Sequence, residues 1–346
     1  MGVRTMIKKY MLLCVIMVML VLTACGELDN TTETSTAETD GDKIKNEGIY
    51  EPVSIETKNG TILYEEMPRR VVTQDLHPME LMMELGLEDH IAGTVGANPN
   101  QVLPKFEEEF ARTPVISRGM QPSKEVLLEV NPDFVYAGWD TIFQEERLGS
   151  VKKLNEIGIK TYTHQSSNTI GPTLEDVYQD IQNIGRIFKV EDRADELIKS
   201  LQHSIKDVSK KIDTQIGAVE EPIRVFIYDS GTETPFTATQ TILTEMIRVA
   251  GGENIFGDIP KNWTTVNWED VVERDPEVIV IMDYGEMTVG QKKEVLFSNP
   301  ALAGIDAIKN NRVAVMPLDY TFEGVRIPIT IEMLAKSFYP EAFDNE

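Results

Sequence analysis

Ser123-Lys-Glu-Val-Leu-Leu-Glu-Val-Asn-Pro-Asp-Phe-Val-Tyr136 and Asn267-Trp-Glu-Asp-Val-Val-Glu-Arg-Asp-Pro-Glu-Val-Ile-Val280 align without a gap. Each stretch opens on a residue suited to cap a helix and carries a glutamate in the first helical turn, Glu125 in one and Glu269 in the other. A short amphipathic segment follows, then a helix-stopping proline, Pro132 or Pro276, and a continuous apolar run that reads as a buried strand. A supersecondary unit repeated this far apart along one chain predicts two lobes of similar fold.

Outward from the repeat, short apolar runs alternate with amphipathic segments on both sides. Strands are predicted over residues 70–73, 91–95, 134–137 and 159–163, and again over 223–228, 277–282 and 312–316. Helices are predicted over 79–85, 123–130, 145–157, 241–250 and 326–338. This alternation predicts an α/β fold with two mainly parallel sheets. Val53 to Lys58 and Thr61 to Glu66 flank Asn59-Gly60, the pair best suited to a tight hairpin turn. Between the two α/β series, residues 173–188 read as one helix and 191–212 as a longer one. The second keeps Ala194, Leu197, Ile198, Leu201, Ile205 and Val208 on one face, with no Gly or Pro to interrupt it. It predicts a stiff connector rather than a flexible hinge.

The N-terminus has a different character. Arg4, Lys8 and Lys9 precede an apolar run from Tyr10 to Leu22, closed by Leu22-Thr23-Ala24-Cys25. About 13 apolar residues are too few to cross ~30 Å of hydrocarbon, so the segment reads as an export signal. Cys25 behind a leucine and small residues resembles the bacterial lipobox, which makes it the expected site of lipidation. Cys14 lies within the discarded leader, so neither a disulfide framework nor a cysteine metal site is expected. Residues 26–48 are polar and acidic with almost no large apolar side chain, and read as a flexible tether. The expected organisation is signal peptide 1–24, tether 25–48, N-terminal lobe 49–172, helical connector 173–213 and C-terminal lobe 214–346. A net charge of −24 argues against nucleic acid and against peripheral binding to anionic lipid.

Pro68-Arg-Arg-Val-Val72, Leu81 to Gly93, the 123–135 unit, the 191–212 connector and Trp268 to Ile281 occur in an order similar to that of a known family. Asn299-Pro-Ala-Leu302 and Ile308-Lys-Asn-Asn-Arg-Val313 fit as well. Over residues 50–345 the chain resembles the iron-siderophore, haem and cobalamin class of periplasmic binding proteins, the receptors of ABC importers. The resemblance implies two α/β lobes joined by a rigid helix, a ligand cleft between the lobes, small domain motion, no catalysis and no cofactor. It also implies that Glu125 and Glu269 dock with arginines of the permease subunits, a role that exposed carboxylates can fill through charge-assisted pairs. Taken singly, each glutamate would serve only its own helix dipole.

Loops at the carboxyl ends of the strands are the expected cleft lining. His77, Arg118, Trp139, Trp263, Tyr320 and Arg326 are the candidate ligand contacts, with no metal site. Aromatic rings suit a large, partly planar ligand, and arginines suit a negatively charged one. These residues point to a ferric siderophore as cargo, with cobalamin or haem as the alternative in the same class. Tyr320, His77 and Met287 are the available axial groups for haem. A surface hydrolase is the alternative from another class, and a non-transport sensor lipoprotein a further one. For the hydrolase no Gly-x-Ser-x-Gly elbow, phosphate-cradling loop or His-Glu-x-x-His helix is present. A monomer, anchored to the outer face of the cell membrane through its lipid alone, is expected.

Overall fold

The structure, a computed structural model, describes residues 50–343 except 58–59, 120–121 and 217–220. The leader, Cys25, the tether and Asn59 of the hairpin turn therefore lie outside the described residues. The hairpin strands Val53–Thr57 and Gly60–Tyr64 pair antiparallel, with Ile55 opposite Ile62. Gly60, at φ +106°, takes a backbone conformation that few other residues adopt.

The N-terminal lobe holds a five-stranded parallel sheet. Its spatial order is Val115–Ser117, Ile91–Val95, Val71–Gln74, Phe134–Ala137, Lys160–Thr163. Phe134 to Ala137 are all buried, as expected of a strand covered on both faces. The C-terminal lobe holds a four-stranded parallel sheet in the order Gly252–Asn254, Ile223–Tyr228, Val278–Asp283, Val313–Pro317. In each sheet the chain starts at an inner strand, fills one side, then crosses to the other. The crossing leaves a crevice beyond the carboxyl ends of two adjacent strands.

The sequence repeat recurs in three dimensions and extends further than the aligned stretch. Asn131 and Asp275 occupy equivalent left-handed positions, at φ +48° and +38°, and each reverses the chain before its proline. Arg70 Nε donates to the Asn131 carbonyl at 2.9 Å, and Arg224 Nε donates to the Asp275 carbonyl at 2.9 Å. Asp133 accepts from the Arg70 amide at 2.9 Å, and its counterpart Glu277 accepts from the Arg224 amide at 3.1 Å. Each lobe thus fastens the start of its first strand to the turn of the repeated unit.

The connector helix spans Glu191–Ile216, longer than the residues 191–212 predicted. Ala194, Leu197, Ile198, Leu201, Ile205, Val208 and Ile212 form its buried stripe. At ~1.5 Å per residue it is about 39 Å long. It packs against the helix Leu174–Ile187 and the last helix, Ile327–Phe338, so it joins the lobes by burial on both.

Several elements differ from expectation, among them the strands Val115–Ser117 and Gly252–Asn254 and the helix Val289–Ser298, none of which was predicted. The helix predicted over 145–157 forms only over Val151–Glu156, because Gly149 at φ +89° breaks the turn and the Ser150 hydroxyl caps the Lys153 amide. A small antiparallel pair, Phe236–Ala238 with Trp263–Thr265, was not predicted at all. Strands of three residues are too short for alternation to register.

Candidate functional site

The site begins at the carboxyl end of strand Phe134–Ala137, beside the crossing point of the N-terminal sheet. The strand leads into Gly138 and Trp139. A Cβ on residue 138 would lie 2.3 Å from the His77 ring, so only glycine lets the imidazole pack there. Asn168 locks this loop: its amide nitrogen donates to the Gly138 carbonyl at 3.0 Å and the His164 carbonyl at 2.6 Å. Its amide oxygen accepts from the Asp140 amide at 3.0 Å. The Trp139 indole is thereby held against Phe322, ring centroids 4.9 Å apart and nearly perpendicular.

Phe322 belongs to the opposite lobe. The segment Thr321–Arg326 follows strand Val313–Pro317 and reaches into the N-terminal lobe. Ser167 Oγ donates to Glu323 Oε2 at 2.7 Å, and Arg326 donates to both Glu80 carboxylate oxygens at 2.8 and 2.7 Å. Arg326 also binds Asp319 and the Gln101 carbonyl. Glu80, Asp319 and Arg326 are all buried, so they form a desolvated ion triad spanning the lobes.

From the other side, the short antiparallel pair delivers Trp263. Its ring lies parallel to that of Phe236, with centroids 5.9 Å apart. Between the two tryptophans is a cavity of about 330 Å³, lined among others by Trp139, Ser167, Asn168, Trp263, Phe322 and Glu323. A larger groove of about 1030 Å³ runs beside residues 170–173 and 244–258. Its charged walls already pair with each other, Arg248 with Glu245 and Arg274 with Asp258, and no aromatic ring lines it. The smaller cavity is therefore the better ligand site, since it combines convergent polar groups with aromatic walls.

The titratable groups behind the cavity are perturbed by burial. Desolvation raises the Glu323 carboxyl to about 7, partly offset by the Ser167 hydroxyl. Asp75, at the end of strand Val71–Gln74, is likewise raised to about 7 by burial. Burial holds the His77 imidazole well below its ordinary value, with further contributions from His164 and Arg326. His77 is therefore neutral at pH 7.

The structure brings only part of the expected set together. Trp139 and Trp263 line the cavity. His77 lies one layer behind it, edge-on to Trp139 at 5.0 Å, with both ring nitrogens buried and without a hydrogen-bond partner. Arg326 is 3 % exposed and commits its donors to the ion triad, which places it beneath the cavity rather than in it. Tyr320 packs its ring on that guanidinium, 4.7 Å away, and is not part of the lining. Arg118 is exposed, just past strand Val115–Ser117, and is not part of the lining either. Glu125 and Glu269 are both exposed at the second position of their helices, Lys124–Glu129 and Trp268–Arg274. The Ser123 hydroxyl draws the Glu125 carboxyl below its ordinary range.

Ser167, Asn168, Phe322 and Glu323 were missed. The last two stand in the loop after the final strand, only two residues beyond Tyr320, so the rule that selected Tyr320 could have reached them. Ser167 and Asn168 sit on a three-residue turn, Ser166–Asn168, that carries no periodic signal. Among the described residues no group of three or more His, Cys, Asp or Glu side chains is arranged to hold a metal ion. No helix among them is long and apolar enough to cross a membrane.

Comparison with known proteins agrees with this geometry. The periplasmic binding protein family model matches residues 71–320. The chain is 27 % identical over 304 residues to the uncharacterized ABC transporter substrate-binding lipoprotein YvrC of Bacillus subtilis, covering 87 % of this chain and 90 % of that protein. It is 24 % identical over 314 residues to the petrobactin-binding protein YclQ of the same organism, covering 88 % and 90 %. Among solved structures, a periplasmic binding protein from Veillonella parvula superposes with a TM-score of 0.75 at 26 % identity, over 84 % of this chain and 98 % of that one.

Proposed function

From the premise that this chain belongs to the periplasmic binding protein family, we propose that it captures a ferric siderophore between Trp139 and Trp263 and delivers it to the permease of an ABC importer. Proteins of this family are substrate-binding components of transport systems, not enzymes. The observation that carries the reading is the cavity itself: one indole from each lobe, with Ser167, Asn168 and Glu323 converging between them. A relative of similar length that is named for petrobactin supports a siderophore as the class of cargo. Delivery follows from the repeat. Glu125 and Glu269 are exposed at equivalent helix positions, one on each lobe, and each can pair with an arginine of a permease subunit. Cys25 would carry the lipid that keeps the receptor, as a monomer, at the outer face of the membrane, and residues 26–48 would be its tether.

Fluorescence titration tests the reading. With only three tryptophans in the chain, a ferric siderophore should quench a large share of the emission. Trp139→Ala combined with Trp263→Ala should remove most of that quenching. Quenching by haem or cobalamin in place of every ferric siderophore would move the protein to the alternative cargo. Quenching that persists in the double variant would move the site elsewhere.

A further inference from the structure

We infer that the cavity selects a neutral or cationic chelate and rejects anionic ones. The inference rests on the reading that this cavity is the ligand site. The charge of its wall is the observation. Among the described residues, Asp140 and Glu323 contribute to the lining, the remaining polar groups are neutral hydroxyls and amides, and no lysine, arginine or histidine is found there. The two arginines expected from the sequence do not change this. Arg326 is sequestered in the triad with Glu80 and Asp319, and Arg118 is exposed away from the lining.

Above about pH 7, where its buried carboxyl ionises, Glu323 gives the wall its sign. The residue is 6 % exposed and its Oε2 is tied to Ser167, so the carboxyl is fixed at the cavity and cannot swing into water. An anionic ligand entering the cavity would place like charge against this group, in surroundings where burial weakens solvent screening. A cationic or neutral ligand meets no such opposition, and the faces of Trp139 and Trp263 add a surface on which a cation is attracted. The field of the whole molecule acts the same way, since a net charge of −24 repels an approaching anion before contact.

Three ferric chelates of comparable size but different charge test the inference by tryptophan quenching of the purified protein: ferrioxamine B, which is cationic, ferrichrome, which is neutral, and ferric enterobactin, which is strongly anionic. The first two should bind at least about tenfold more tightly than the third. At about pH 8, where Glu323 is ionised, Glu323→Gln should weaken ferrioxamine B several-fold more than it weakens ferrichrome. Thr141 lies exposed on the rim, so Thr141→Arg should fold normally and should improve the anionic chelate relative to the neutral one. Ferric enterobactin binding the parent protein as tightly as ferrichrome would overturn the charge assignment while leaving the receptor reading in place. No quenching by any chelate, by haem or by cobalamin would overturn the receptor reading and the charge assignment with it.

Discussion

Glu323 joins the two lobes through its bond to Ser167, and its buried carboxyl is held protonated up to about pH 7. In the unfolded chain the same group ionises near its ordinary value of 4.5. Between those two values the folded protein therefore binds the extra proton, and the contribution of Glu323 to stability declines as pH rises. His77 and His164, whose folded values are lowered by burial, act in the opposite sense as pH falls. A comparison of variants isolates the carboxyl. Glu323→Gln should gain on the parent by up to about 1.4 kcal/mol per pH unit from pH 4.5 to 7. Urea denaturation at several pH values would check this; a constant difference would show that the carboxyl is not desolvated. Gly138 offers a second test at this scale. Gly138→Ala forces a methyl group onto the His77 ring and should cost about 1–3 kcal/mol. In the His77→Ala background the same change should cost much less, and equal costs in thermal melts would contradict the packing.

At the scale of elements, the docking role proposed for Glu125 and Glu269 belongs to the repeated helix. Besides Glu125 and Glu269, each copy leaves one aliphatic side chain exposed three residues later, Leu128 at 43 % and Val272 at 38 %. Residues three apart share a helix face, so acid and aliphatic lie side by side on each lobe. Such a pair suits a docking contact with an apolar centre and a charged rim. Glu125→Ala combined with Glu269→Ala should leave ligand quenching intact and abolish uptake through the permease. Leu128→Ser with Val272→Ser should weaken uptake without affecting ligand binding. Transport assays in cells carrying each double variant decide the matter, and normal uptake in the glutamate pair would remove the docking role.

For the molecule as a whole, the triad of Glu80, Arg326 and Asp319 ties lobes that are far apart in sequence, Glu80 and Arg326 being separated by 246 positions. Removing its centre leaves two buried carboxylates without a counter-ion, Glu80 keeping only the Leu103 amide at 3.0 Å. Arg326→Met should therefore lose about 3–5 kcal/mol and unfold both lobes together. Two separate transitions in calorimetry would contradict this and show that the connector helix alone does not couple the lobes.

What the sequence determined by itself was everything carried by local pattern. Apolar periodicity, the caps at Ser123 and Asn267 and the stops at Pro132 and Pro276 made the strands, the long connector and the two-lobed design legible. Each of those signals acts within a few residues of the chain. The cavity was only half legible, through the two loop tryptophans. Tertiary structure alone decided the rest, because it depends on which distant groups meet. Arg326 and Arg118 read alike as loop arginines, yet one meets Glu80 and Asp319 and is buried, while the other meets solvent. Glu323 was not singled out in the sequence, yet its burial against Ser167 makes it part of the cavity wall. Charge in a binding site is set by pairing and desolvation, and neither is a property of local sequence.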